Sequence, residues 1–317
     1  MRGEKEFDVS LDRAAALRRE HAEIVRFCRQ LGDEEWRAPS AAPGWRVQDV
    51  VAHLGGSCHA IFTPTSLKLL SSKDIERTND VLVARRRDWE PARVLGEFER
   101  WGRRLATLTS VLSRTPVARV PAPLGELGRF PAAVLLSSAF LFDQHTHLRH
   151  DIAPALGRPA PETDGPRMSL VLEWMFAVLG NQLRAARPPW LTRPISISLA
   201  GAGGGRWRIG VDGGVTAVGT AVGTAVGPAV GTVVGPAVGT VVGPAVGTAA
   251  GAAVGTAAGA DVGTAAGADR DSVTHIAGAA AEFPGWATVR APWRERDVRI
   301  EGDEALGAAL LDHMNVV

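Results

Sequence analysis

Cysteine is scarce in this 317-residue chain: Cys28 and Cys58 are the only two, and they have no Cys-x-x-Cys spacing. That excludes a dithiol redox motif and a thiolate zinc knuckle. Cys28 falls on the apolar stripe of the first predicted helix and reads as a small buried hydrophobe. Cys58, five residues after His53, reads as a packing residue in preference to a catalytic thiol. Net charge is lacking too, since 35 Lys+Arg against 34 Asp+Glu leave +1. With the basic residues scattered, broad binding to nucleic acid is excluded. The one basic run, Arg85-Arg86-Arg87, reads as a solvated helix face. Long apolar runs are also missing. The longest apolar helical stretch, Ala132 to Phe142, is too short and too serine-interrupted to span a bilayer. Met1-Arg2-Gly3-Glu4-Lys5-Glu6 has none of the apolar character of a signal peptide. The expectation is a cytoplasmic protein with neither nucleic acid nor membrane as partner.

What is present is apolar content of 45%, enough for real cores in two domains. Leu17, His21, Ile24, Cys28 and Leu31 recur at spacings of three or four and define a first helix, with Ser10 as its N-cap. His21 on that stripe reads as a histidine satisfied inside the core. A Trp- and Pro-bearing loop runs from Trp36 to Trp45, turned by Pro39, Pro43 and Gly44. A second helix starts near Val47, and a third covers residues 88 to 114 through Val94, Leu95, Phe98, Trp101, Leu105 and Leu108. Pro131 opens a fourth, running through Leu135 and Phe140 to His147. Four such helices in the first half point to an antiparallel four-helix bundle.

Pro154, Pro159, Pro161 and Pro166 then break regular structure and mark a boundary. The expected organisation is an N-terminal bundle over residues 1–152, a Pro-rich linker over 153–166 and an α+β domain over 167–317. Met168 to Ala186 reads as an amphipathic helix. Ile195, Ile197 and Leu199 alternate with serines, and Trp207, Ile209 and Val211 alternate with polar or small residues, predicting two strands around the turn Gly201 to Gly205. Val298 and Ile300 predict a further strand, with Asp303 as N-cap of a closing helix from Glu304 to about Met314. One segment fits neither pattern. From Gly219 to Gly267 every fourth residue is glycine, thirteen in strict register. A period of four matches neither helix nor strand nor collagen. Such small side chains bury too little area to offset backbone ordering. Residues 214–268 are therefore expected to be a low-complexity flexible insertion within the second domain, tolerated because loop-closure entropy grows slowly with length.

Three residues carry the chemistry. Asp143 and His147 stand at i and i+4 and share a helix face, and His53 joins them from a second helix of the same bundle. Two imidazoles and one carboxylate leave a coordination position open, which suits a catalytic metal better than a closed structural one. Zinc there would lower the pKa of a bound water or thiol, or polarise a carbonyl; other divalent metals also suit the donor set. His147 with His150, at i and i+3, is a second same-face pair. His145 points far from Asp143 and is the least suited ligand. On the residues alone, these histidines also read as surface groups at a helix C-terminus, where the dipole favours the charged form.

The segment Trp36-Arg37-Ala38-Pro39…Pro43-Gly44-Trp45-Arg46-Val47-Gln48-Asp49-Val50-Val51-Ala52-His53-Leu54 resembles the N-terminal signature of the mycothiol-dependent maleylpyruvate isomerase family, whose members are DinB-like four-helix bundles. Asp143-x-x-x-His147, followed by Asp151-Ile152 and Ala155-Leu156-Gly157-Arg158-Pro159, resembles that family's second metal segment. The C-terminal half, notably Val298-x-Ile300-Glu301-Gly302-Asp303, is similar to its sterol-carrier-like α+β domain. Two departures stand out. Asp143 replaces the family's usual glutamate, and Asp151 stands four residues after His147 where three is common. Taking Asp151 as the reference instead puts the ligand positions on Gln144 and Leu148, and Leu148 cannot ligate.

The resemblance implies a zinc site that holds mycothiol as its thiolate. In the family's isomerase reaction that thiolate adds to the cis double bond of maleylpyruvate, and rotation followed by elimination gives the trans isomer. Thiol S-transfer is the sister activity. The resemblance also sets Arg290 where the C-terminal domain directs a basic residue at a substrate carboxylate, a geometry an arginine suits; a salt bridge is the competing reading. The expected partners are a small-molecule substrate and a thiol, with oligomeric state open. A reading of a different class is a non-catalytic protein that binds a ligand or partner through its C-terminal domain, above a vestigial metal site.

Overall fold

The computed structural model describes residues 12–72, 74–220 and 274–316. Helix α1 (Arg13–Cys28) begins at Asp12, whose carboxylate accepts the Ala15 N–H at 2.9 Å. That bond satisfies one of the first-turn donors left without helical partners. The cap expected at Ser10 lies outside the described residues. Helices α2 (Asp33–Arg37), α3 (Val47–Ala60), α4 (Thr65–Leu70), α5 (Ile75–Ala84) and α6 (Pro91–Leu112) follow. Neither α4 nor α5 was expected. They are short, and the buried pair in α5, Leu82 and Val83, is adjacent in sequence and shows no helical period. The run Arg85-Arg86-Arg87 is also corrected. Arg85 and Arg87 are exposed in a turn, whereas Arg86 is buried, donating to Glu97 and to the Leu82 carbonyl at 2.8 Å each.

After a small hairpin of β1 (Pro121–Pro123) and β2 (Arg129–Pro131), one helical rod spans residues 132–152 and is called α7 here. It alternates α turns, Ala132–Val134 and Phe140–Thr146, with wider π turns, Leu135–Ala139 and His147–Ile152. Helices α1, α3, α6 and α7 pack together around Leu17, Val50, Leu54, Phe98, Leu105, Leu141 and Leu148, none more than 1% exposed. His21 is indeed a core histidine, its Nε2 3.1 Å from the Phe98 carbonyl.

The α1–α6 contact depends on Gly102, because a Cβ there would stand 2.2 Å from the His21 ring. Gly102→Ala is therefore expected to destabilise the protein. Overpacking costs about 1–3 kcal/mol, against a gain of about 1 kcal/mol in helix propensity. Thermal unfolding of this variant with and without His21→Ala checks it, since removing the ring should abolish the penalty. A stabilised single variant would show that the two helices do not meet here.

Helix α8 (Gly165–Ala186), capped by the Asp164 carboxylate, leads into a five-stranded sheet. Its strands are β3 (Ile195–Ala200), β4 (Gly205–Ile209), β5 (Val215–Thr220), β6 (Thr274–Ala279) and β7 (Arg299–Gly302), in the order β5-β4-β3-β6-β7. Only β3 and β6 pair in parallel. The β3–β4 hairpin turns at the expected glycines, although β4 ends at Ile209 and leaves Val211 57% exposed. Residues 215–220, assigned to the flexible insertion from sequence, instead pair with β4. Val215, Ala217 and Thr216 lie in register with its strand residues, so the glycine period begins inside the sheet. The remainder of the insertion, 221–268, lies outside the described residues. Short helix α9 (Phe283–Ala287) and closing helix α10 (Glu304–His313) complete the order, with Asp303 accepting the Leu306 N–H at 3.0 Å. The architecture is a helical N-terminal region joined to a C-terminal sheet-containing domain, mixed α+β. Among the described residues no helix is long and apolar enough to cross a membrane.

Candidate metal centre

The Trp36–Trp45 loop explains why the second helix starts where it does. Gly44 adopts φ +78°, a left-handed turn that favours glycine, and the next residue, Trp45, donates its indole N–H to Asp80 at 3.0 Å. The Asp49 carboxylate accepts the Arg46 N–H and binds the Arg46 guanidinium at 3.0 Å, closing the first turn of α3. The loop is tied to α7 as well, since the Ala41 N–H donates to the Asp151 carbonyl at 2.9 Å. In the second turn of α3, His53 is 4% exposed and faces α7.

There it meets the predicted pair. His53 Nε2 lies 3.1 Å and His147 Nε2 3.3 Å from the same oxygen, Asp143 Oδ1. One ligand atom from each of His53, Asp143 and His147 falls within 4.8 Å of the others. The histidine side chains are 5% and 12% exposed but that of Asp143 is 27% exposed, so the cluster opens to solvent beside the carboxylate. The Trp45 ring packs beside the cluster, 5.2 Å from that of His53 and 6.2 Å from that of His147. Burial opposes ionisation of Asp143, but the two imidazoles hold its carboxyl well below the usual range. His147 is pulled the other way. Although burial disfavours its charged form, Asp143 and Asp151 raise it to about 9.

The second carboxylate, Asp151, is 1% exposed and its Oδ2 lies 2.6 Å from His147 Nδ1. Residues 147–152 form a π turn. At i and i+4 the Asp151 carboxylate and the His147 ring share one side of this turn. The alternative register brings nothing together. Leu148 is fully buried in the core, and Gln144 is 1% exposed with both amide atoms unpartnered. His145 bonds Thr163 at 2.9 Å, and the ring of His150 packs at Gly285, so neither joins the cluster.

Arg290 reaches Asp151 from the C-terminal domain. Its Nε and Nη2 donate to the two carboxylate oxygens at 2.9 Å each, a bidentate pair. Of the two readings of Arg290, a contact to a substrate carboxylate or a salt bridge, the structure has the salt bridge, made to a buried carboxylate of the protein. The pairing of Asp151 with His147 was available in the i, i+4 spacing, whereas the contribution of Arg290 had no local signal. Neither cysteine enters the chemistry. Both are buried; burial pushes the Cys28 thiol up to about 12, and burial with Asp143 and Glu97 nearby pushes Cys58 up as well.

The donor set fits a divalent metal on two counts. Imidazole nitrogens and a carboxylate oxygen converge, and one of the imidazoles has its far nitrogen held by a carboxylate, the usual support of a ligating histidine. Comparison with known families agrees on the N-terminal part. Residues 17–136 match the family model described as mycothiol maleylpyruvate isomerase N-terminal domain. The match includes Trp45 and His53 and stops short of Asp143. No curated protein and no solved structure matches the chain significantly.

Proposed function

We propose, from the premise that residues 17–136 form a domain of the mycothiol maleylpyruvate isomerase N-terminal family, that this protein is a metal-dependent enzyme of small-thiol chemistry. The observation that carries the reading is the convergence of His53, Asp143 and His147 beside an opening to solvent. A divalent metal held there, zinc by preference, would supply the positive charge that keeps a low-molecular-weight thiol such as mycothiol in its nucleophilic thiolate form. The residues themselves do the rest. His53, Asp143 and His147 provide three donors and leave the solvent-facing side for thiol and substrate. Trp45 packs against both imidazole rings, and Asp151 fixes the tautomer and ring angle of His147. The reaction is cis–trans isomerisation of a maleylpyruvate-like substrate, or thiol S-transfer, both of which begin with the same thiolate.

The proposed organisation assigns the chemistry to a DinB-like four-helix domain over residues 1–152. A linker over 153–166 and a sterol-carrier-like domain over 167–317 complete the chain and shape the substrate side. The reading is supported by the matched N-terminal family and by a donor set with one position left open.

Elemental mass spectrometry on protein prepared without a histidine tag tests it. The wild type is expected to carry about one zinc per chain, the stoichiometry of a single three-residue site, and His53→Ala and His147→Ala are expected to lose it. Mycothiol-dependent isomerase and transferase turnover should disappear in the same variants. A wild type that takes up no metal after zinc loading and removal of excess overturns the enzyme reading and leaves ligand binding by the C-terminal domain.

A further inference from the structure

We infer that Arg290 is a positioning residue for the metal centre, through which the C-terminal domain sets the geometry of His147. The inference rests on the reading of His53, Asp143 and His147 as ligands and assigns a role to a residue outside that set. Its first support is the continuous chain Arg290–Asp151–His147, with contacts of 2.9, 2.9 and 2.6 Å. Asp151 is 1% exposed, so it has almost no water to hold its orientation, and both of its oxygens are committed to Arg290 while one of them also meets His147. The planar fork of the guanidinium fixes the plane of the carboxylate. The carboxylate in turn fixes the imidazole ring and leaves Nε2 directed at Asp143.

The second support is backbone strain. Val289, immediately before Arg290, has φ +60°. For a β-branched residue this is an outlier that persists only where the surroundings enforce it. Burial is not the cause, because Val289 is 65% exposed. The segment is pinned on both sides: the Val316 N–H donates to the Ala287 carbonyl at 2.8 Å and the Ala291 N–H to the Gly285 carbonyl at 3.1 Å. Between those anchors the left-handed turn at Val289 is what presents the next side chain to Asp151. Val289 is the first residue beyond the C-cap Thr288 of α9, a position where helices commonly turn left-handed, and that turn sets the direction of Arg290. Two consequences follow by linkage. Metal affinity and the seating of segment 287–291 on α7 favour each other, and loss of either weakens the other.

The experiment compares wild type, Arg290→Ala, Arg290→Lys and Arg294→Ala, the last removing an exposed arginine paired with Asp312. Cobalt(II) affinity and the visible spectrum of the cobalt protein are measured beside urea unfolding midpoints. Arg290→Ala is expected to weaken metal binding about 10–100-fold, the range for loss of an outer-shell partner, and to change the spectrum. Lysine keeps the charge and loses the fork, so Arg290→Lys should recover affinity only in part, while Arg294→Ala should match wild type. In parallel, the His147 ring signals of the metal-free proteins, identified by their loss in His147→Gln, are recorded by NMR. They should shift and broaden in Arg290→Ala. Unchanged ring signals in Arg290→Ala, or affinity within about twofold of wild type with the same spectrum, overturn the inference. A wild type that binds no cobalt or zinc sinks the metal reading by itself, and the ring signals then still decide whether Arg290 positions His147.

Discussion

Replacing Glu20 with alanine is expected to cost about 3 kcal/mol of stability, the low end of the range for breaking a buried ion pair. Glu20 is fully buried and receives Arg149 from α7 and Arg167 from α8, the latter at 2.8 Å. Glu23 contacts both arginines, and Asp164 accepts from Arg167 at 3.1 Å. Arg149 and Arg167 also donate to the Pro161 and Glu162 carbonyls at 2.9 Å each. The proline-rich connection is therefore held against the helices at this point. Burial pushes the Glu20 carboxyl above its ordinary range even with two guanidiniums beside it, and desolvation offsets much of the attraction within a buried ion pair. Its removal in part is what costs, because two buried cations then share the more exposed Glu23 and Asp164. Urea denaturation of Glu20→Ala measures the loss. A change under about 1 kcal/mol would mean that the network is solvated and worth no more than a surface pair.

Acid should destabilise the fold through its buried histidines. Burial, with Arg290 and Arg149 nearby, depresses the His150 imidazole to about 4. Burial and Arg149 hold His145 well below its ordinary value, and burial lowers His21 too. The sign is that of a lowered histidine. The unfolded chain takes up protons from about pH 6.5 downward while the native side chains stay neutral, so stability falls with pH across this window. For His150 alone the span from about 6.5 to about 4 amounts to roughly 3 kcal/mol. Groups at the metal cluster do not mask the effect. His147 is raised, so its contribution is fully present below its unfolded value. Asp151, lowered to about 2, loses its contribution only below the usual carboxylate range. Unfolding free energies from pH 7 to pH 4 should show a steep acid limb, flattened by about 3 kcal/mol in His150→Gln. Parallel curves for the two proteins would show that His150 is solvated.

Periodicity made the long helices legible. The stripe through Leu17, Ile24 and Cys28 reads as α1 because burial repeats every turn, and α6 and α8 follow for the same reason. Alternation did the same for β3 and β4. Elements without a local pattern stayed hidden: α4 and α5 are too short to show a period. Strand β5 was masked by a repeat whose composition resembles a linker, and its place is set by pairing with β4.

The same division runs through the candidate site. By itself the sequence determined that Asp143 and His147 share a helix face, because i and i+4 are neighbours on any helix, and that a third donor was available at His53. Only the tertiary structure decided that His53, 90 residues away, stands 3.1 Å from Asp143, and that Arg290, 139 residues from Asp151, completes the chain to His147. Backbone hydrogen bonding fixes what is close within a turn of helix. What is close across the fold is fixed by side-chain packing between helices and by the seating of the C-terminal domain, neither of which leaves a period in the sequence.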